Sequence, residues 1–290
     1  MTPWTMRLGW FVRRTPDPEQ LADFYERVVG LPVLRRYGKA TMFWLGGTTS
    51  FEVAAGGGRA PAYADRTEAA CYPIVRCYDI ASEIARLRAA DVPFINDFKI
   101  DDENHIAYFL DHAGHVFGIQ QRTRASERPE DIELLRRWES GEWRLEGAGD
   151  LPPSWQAIGW VAVRGVNPGR LIAFYREILG LPVRYQPRED LALLALDETT
   201  LLEVGAGAKS VPAPNDRTEA SNACLLRVTG LEALLADLRH KGVRFVNEPF
   251  EVDGGTIAYI SDPEGHVVGV QERWESSTRI EDIAASRRSG

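Results

Sequence analysis

The sequence predicts an α+β protein built from four βαβββ modules, and three observations carry that expectation. The chain repeats itself: LADFYERVVGLPV from Leu21 recurs as LIAFYREILGLPV from Leu171, 150 positions on. DRTEA at 65–69 returns at 216–220, and YFLDHAGHVFGIQQR from Tyr108 returns as YISDPEGHVVGVQER from Tyr259, both 151 positions on. Within each half, short runs with period-two alternation, the mark of strands with one buried face, bracket single segments of helical spacing.

The elements follow in order. Trp10, Val12 and Arg14 alternate with Phe11 and Arg13 as a first strand, and Pro16-Asp17-Pro18 ends it with helix-start chemistry. Leu21, Phe24, Tyr25 and Val28 continue at helical spacing until Gly30, which suits a left-handed cap. Strands are expected at Val33 to Tyr37, Ala40 to Leu45 and Ser50 to Ala54, with Gly46-Gly47-Thr48-Thr49 as the last turn. The second module places strands at Tyr72 to Cys77, Phe94 to Lys99, His105 to Leu110 and Val116 to Arg122, and a helix at Ile80 to Ala90. Residues 157–205 and 223–273 give the third and fourth modules. The Gly- and Pro-rich run from Gly147 to Trp155 reads as a linker. Two domains are therefore expected, 1–145 and 155–290, each ending in an extension that shares Glu130-Asp131-Ile132 with Glu281-Asp282-Ile283.

Composition narrows the function classes. The chain has 290 residues, 44% hydrophobic and 26% charged, enough to bury a core in each of two domains. A net charge of -8 and a pI near 5.3, with Lys and Arg dispersed, argue against a nucleic-acid partner. The longest apolar run, LALLAL at 191–196, is too short to cross a bilayer. Cys71, Cys77 and Cys224 form neither a metal spacing nor an even disulfide set, and MTPWTMRLGWFVRR lacks the apolar core of a signal peptide. A cytoplasmic protein with reduced thiols, monomeric or homodimeric and with a small-molecule partner, is the expectation. There is no P-loop or G-x-S-x-G elbow, and GAGA at 205–208 lacks dinucleotide-fingerprint spacing.

Two motifs recur in both halves. An FY-x3-LGL helix end occupies Phe174, Tyr175, Leu179, Gly180 and Leu181, with Phe24, Tyr25, Val29, Gly30 and Leu31 as its counterpart. A terminal D-x-x-G-H hairpin spans Asp111 to His115 and Asp262 to His266. In duplicate, over 7–122 and 157–273, this constellation resembles the vicinal oxygen chelate superfamily of glyoxalases, bleomycin-resistance proteins and extradiol dioxygenases. The resemblance implies two glyoxalase-like domains whose modules pair into curled mixed sheets around cavities. Which modules pair is not set by the sequence, because exchange between like modules keeps the same contacts.

The resemblance also implies a divalent metal held by His or Gln on first strands and Glu on fourth strands of paired modules. Here Trp10, Tyr72, Trp160 and Ala223 stand at the first-strand positions; Glu52, Gly118, Glu203 and Gly269 stand at the fourth. One carboxylate per cavity does not hold such an ion tightly, so neither metal nor cofactor is expected. His105, His112, His115, His240 and His266 read as turn and cap residues rather than ligands.

Alternation aims Trp10, Glu52, Tyr72 and Gln120 into a pocket expected in the N-terminal half, with Trp160, Glu203 and Gln271 as the matching set. Tyr72 is expected beside Glu52, and the smaller Ala223 to leave room beside Glu203. Arg14, Arg76, Arg164 and Arg227, four residues past the first-strand positions, read as solvated strand ends, and Asp65-Arg66-Thr67 as a local structural network. The leading reading is a metal-free binder of a small, partly aromatic molecule stacked on Trp and oriented by Glu. The alternatives are a lyase, isomerase or dioxygenase using Glu52 or Glu203 as catalytic residue, and a scaffold with vestigial cavities.

Overall fold

The computed structural model describes residues 4–45, 49–61, 63–100, 104–122, 155–197, 200–209, 214–252 and 254–274. Both C-terminal extensions and most of the linker expected at 147–155 lie outside the described residues.

Each module forms as its pattern predicts. The first consists of β1 (Thr5–Thr15), α1 (Pro18–Asp23), β2 (Val33–Tyr37), β3 (Ala40–Trp44) and β4 (Ser50–Ala55). The second has β5 (Cys71–Cys77), α2 (Ile80–Ala89), β6 (Phe94–Ile100), β7 (Asn104–Leu110) and β8 (Val116–Arg122). The third has β9 (Trp155–Gly165), α3 (Pro168–Ala173), β10 (Val183–Arg188), β11 (Leu191–Ala195) and β12 (Leu201–Ala206). The fourth has β13 (Asn222–Thr229), α4 (Leu231–His240), β14 (Phe245–Val252), β15 (Gly255–Ser261) and β16 (Val267–Arg273). Among the described residues no helix is long and apolar enough to cross a membrane.

Local chemistry explains the helix ends. Asp17 and Asn167 accept from the backbone N–H groups of Gln20 and Arg170, and Pro18 and Pro168 open the first turns, where their missing N–H costs nothing. The helical run expected through Val28 changes character after Asp23: Phe24–Val28 and Phe174–Ile178 are π-helical turns, closed by Val29 N–H on the Phe24 carbonyl at 3.0 Å and Leu179 N–H on Phe174 at 3.1 Å. Gly30 and Gly180 then reverse the chain at φ 78° and 79°, a conformation that a Cβ disfavours.

The sixteen strands form two mixed eight-stranded sheets, and each sheet joins modules from opposite halves. The first runs β14-β15-β16-β13-β1-β4-β3-β2, the second β10-β11-β12-β9-β5-β8-β7-β6. The central seams are antiparallel, β1 on β13 and β5 on β9, while each first strand pairs in parallel with the fourth strand of its own module. Strands β1 and β9 are irregular at Gly9 and Gly159, so the pleat advances by one residue before Trp10 and Trp160. Room is part of the reason: a Cβ on Gly9 would lie 2.8 Å from Arg227 Cγ, and one on Gly159 2.8 Å from Arg76 Nε.

Helices cover one face of both sheets. Leu21, Phe24, Tyr25, Ile80, Leu87, Leu171, Leu234 and Leu238 join Phe11, Phe51, Phe117, Val161 and Leu226 in one continuous core. The opposite faces carry two smaller clusters that contain no helix residue, one around Trp10, Val12, Trp44, Leu225 and Tyr259, the other around Tyr72, Ile74, Ile106, Tyr108 and Ala162.

The two recurring motifs meet. The Tyr25 hydroxyl donates to Asp111 Oδ2 at 2.8 Å, and Tyr175 to Asp262 Oδ2 at 2.9 Å. The second oxygen of each Asp accepts the backbone N–H groups that tighten its own hairpin, from Ala113 and His115 in one copy and Glu264 and His266 in the other. The motifs thus fasten a helix on one sheet to a hairpin on the other. The first copy adds an arginine: Arg13, fully buried, donates to Asp111 at 2.6 Å, to Tyr25 at 2.6 Å and to the Val116 carbonyl at 2.8 Å. Val163 occupies the matching position.

Candidate functional site

The faces without helices hold every candidate residue, but the crossed pairing divides them differently from the sequence expectation. Trp10 and Glu52 share the first sheet with Ala223 and Gln271, whereas Trp160 and Glu203 share the second with Tyr72 and Gln120. The expected N-terminal set of Trp10, Glu52, Tyr72 and Gln120 is therefore split between sheets. The phenol of Tyr72 belongs to the sheet of Glu203 and the small Ala223 to that of Glu52, the reverse of the predicted arrangement.

In the second sheet Glu203 is buried and ion-paired with Arg164, from the neighbouring strand β9. Arg66 approaches the same carboxylate at 3.7 Å, donates to the Tyr72 hydroxyl at 3.0 Å and lies 4.8 Å from the centre of the Tyr108 ring. Tyr72 and Tyr108 meet edge to face at 5.9 Å. On the far side of Trp160 lie Arg76 and Gln120, both buried and adjacent to Gly159. Among the described residues, the indole Nε1 of Trp160 and the Nε of Arg164 are buried on this face without a hydrogen-bond partner.

The first sheet repeats the plan with different couplings. Arg217 lies 4.7 Å from the Phe250 ring and 5.1 Å from that of Tyr259. Arg227 stands 5.3 Å from the Trp10 ring and donates to Gln271 Oε1 at 3.0 Å. Glu52 is half-buried. Burial pushes its pKa up, against the charge of Arg14 and hydrogen bonds from Tyr37 and Trp10. Burial lowers the pKa of Arg14, which hydrogen-bonds Tyr259 and faces Glu52.

Two features were misread from sequence. Arg14, Arg76 and Arg164 are buried rather than solvated, because the strands run on past the site and period-two alternation keeps these side chains on the same face as the tryptophans. The Asp65-Arg66-Thr67 loop does form a local network: Asp65 accepts from Thr67 and Asn96, which holds its pKa low. Its Arg66, however, extends into the site. The missed signal was the recurrence of DRTEA itself, which puts Arg66 and Arg217 opposite Tyr108 and Tyr259.

The donor set at the family's metal positions does not fit a divalent ion. Each site offers one carboxylate, and that of Glu203 already faces two guanidinium groups. Space for a second carboxylate is filled: a Cβ on Gly118 would lie 2.7 Å from Ile74 Cγ1 and 3.1 Å from Tyr108 Cε1, and one on Gly269 2.8 Å from Leu225 Cγ and 3.1 Å from Tyr259 Cε1. Among the described residues no three His, Cys, Asp or Glu side chains gather to hold a metal. His266 directs Nδ1 to Asp262 at 2.7 Å, and His115 is buried beside Asp111. A groove of about 560 Å³ lined by Trp4, Leu181, Val183 and Asp197, among others, includes none of the expected site residues.

Comparison with known proteins agrees with this architecture. The profile of the Glyoxalase/Bleomycin resistance protein/Dioxygenase superfamily matches residues 7–119 and 157–270. Glyoxalase I from Zea mays superposes with a TM-score of 0.60 at 17% identity, covering 99% of this chain and 96% of that one. A proposed dioxygenase from Bacillus subtilis gives 0.64 at 15% identity, covering 97% and 90%. At these identities the likeness is one of fold. No curated protein sequence matches the chain. Fold and duplicated modules define a two-domain α+β protein of the glyoxalase type; the chain belongs to the glyoxalase/bleomycin resistance/dioxygenase superfamily.

Proposed function

We propose that the protein binds a small, partly aromatic organic molecule on the helix-free face of each sheet, without a divalent metal at the family position. The observation that carries this reading is the packing of Ile74 and Tyr108 against Gly118, and of Leu225 and Tyr259 against Gly269, where the family would place a ligand carboxylate. Aromatic area from Trp10 or Trp160, with a few convergent polar groups, is the usual composition of a small-molecule site. The free, buried thiols of Cys71, Cys77 and Cys224, with pKa values raised by burial, suit a cytoplasmic setting. Native mass spectrometry of freshly purified protein tests the reading, since it reports retained ligand, metal and oligomeric state together. A retained organic mass without metal supports it. Near one equivalent of Fe, Mn, Ni, Zn or Co per site, lost in Glu52→Gln or Glu203→Gln, overturns it.

A second reading has its own support. The raised pKa of Glu52 suits a general base, with the Tyr37 hydroxyl orienting it as a hydrogen-bond donor, so the first sheet has the equipment for a lyase or isomerase step on a bound substrate. A turnover that survives Glu52→Gln excludes it.

A further inference from the structure

Arginines outnumber the carboxylate in each site: Arg14, with Arg217 near it, faces Glu52, and Arg164 and Arg66 face Glu203. These are positive islands in a chain whose net charge is -8. In the second sheet Arg164 and Arg66 already neutralise Glu203, so an incoming cation would meet guanidinium before carboxylate. Asp65, next to Arg66, is engaged by Thr67 and Asn96. What the site leaves unused are donors: Trp160 Nε1 and Arg164 Nε, on one face of β9 and both buried without a partner. A buried donor left unpaired costs about 1–3 kcal/mol, which a ligand oxygen reaching that donor would recover. The Tyr72, Tyr108 and Trp160 rings supply flat apolar surface around that point.

We infer that the site of the second sheet selects a planar aromatic ligand carrying an anionic oxygen, a carboxylate or phenolate, received by Trp160 Nε1 and Arg164 rather than by Glu203. The inference rests on the ligand-binding reading above and fixes the charge class of the ligand. Glu203 then has a positioning role: it holds the Arg164 guanidinium while leaving Nε to the ligand.

The test is calorimetric titration of the whole protein with 2-naphthoate, 2-naphthamide and 2-naphthylmethylammonium, which share a ring system and differ in charge. The expected order is naphthoate first, the ammonium weaker by roughly tenfold or more, a difference of about 1.4 kcal/mol. Trp160→Phe keeps an aromatic ring and removes the N–H, so it should weaken naphthoate at least several-fold while changing naphthamide less. Arg164→Gln strands Glu203 and risks misfolding; the double change Arg164→Gln/Glu203→Gln removes both charges and should abolish the preference for naphthoate over naphthamide. An ammonium probe that binds as well as naphthoate overturns the inference and leaves the binding reading intact. Naphthoate binding untouched by both variants overturns it as well. If no probe binds and no organic mass is retained, both fail.

Discussion

The guanidinium of Arg164 pairs with Glu203 across β9 and β12, and Gly205, two residues further along β12, is what leaves it room. A Cβ at 205 would collide with Arg164 Nη1 and come within 3.1 Å of Leu191 Cδ1. In the other site the matching residue is Ala54, and there Arg14 turns to Tyr259. Gly205→Ala should therefore displace Arg164, lower stability by about 1–3 kcal/mol as overpacked cores do, and weaken ligand retention in that site alone. Urea unfolding and titration measure the two effects; a variant equal to the parent in both would show that the pair does not depend on the glycine.

Asp111 and Asp262 hold matching hairpins but different neighbours. Removing Asp111 leaves the fully buried Arg13 without its anion, a loss that ordinarily costs about 3–5 kcal/mol. Asp262→Ala loses Tyr175 and His266 as partners but strands no arginine, since Val163 stands there. Asp111→Ala should be the more damaging of the two in urea or thermal unfolding. In Arg13→Met/Asp111→Asn most of the loss should return, because both charges go together.

His115 introduces a pH dependence of known sign. Burial, with the charge of Arg13 beside it, holds its pKa down to about 4, against 6.5 when unfolded. Above pH 6.5 both states are neutral there and the full stability is present. As pH falls from 6.5 towards 4 the unfolded chain takes up the proton first, so stability drops by up to about 3 kcal/mol, then levels off for this group. Denaturation curves at pH 7, 6, 5 and 4 should flatten over that window in His115→Asn relative to the parent.

Restoring the family's missing carboxylate should fail by crowding. Gly118→Glu drives a side chain into Ile74 and Tyr108, and Gly269→Glu into Leu225 and Tyr259. Each should destabilise by more than about 1 kcal/mol, and neither should gain tight Zn or Ni binding by elemental analysis. Tight metal uptake in either variant would mean that the site yields more easily than its packing indicates.

Most of the fold was legible because its information is local. Period-two runs place Trp10, Val12, Tyr72, Ile74 and Leu225 on the helix-free faces they occupy. The D-x-x-G-H and FY motifs were visible as motifs, but their meeting was not, since Tyr25 and Asp111 are 86 residues apart. The seams were illegible for a different reason. β5 and β13 are alike, so β1 could pair with either, and only the three-dimensional arrangement chooses β13. The π-helical turns were missed because Leu21, Phe24 and Val28 also satisfy ordinary helical spacing. The arginines were visible at fixed intervals, and alternation alone would have put them on the face of the tryptophans; what it could not supply was the depth to which the strands carry them.

The crossed seams have a consequence for how the protein can vary. A chain ending near residue 145 would leave β1 and β5 as open edges, and two such chains would close them only by mutual exchange, producing two identical clefts. Covalent tethering supplies the second half at high effective concentration and releases the clefts from symmetry. Tyr72 can then stand in one sheet where the other has Ala223, and Gly205 where the other has Ala54, so that one polypeptide carries two sheet faces of unequal shape and polarity.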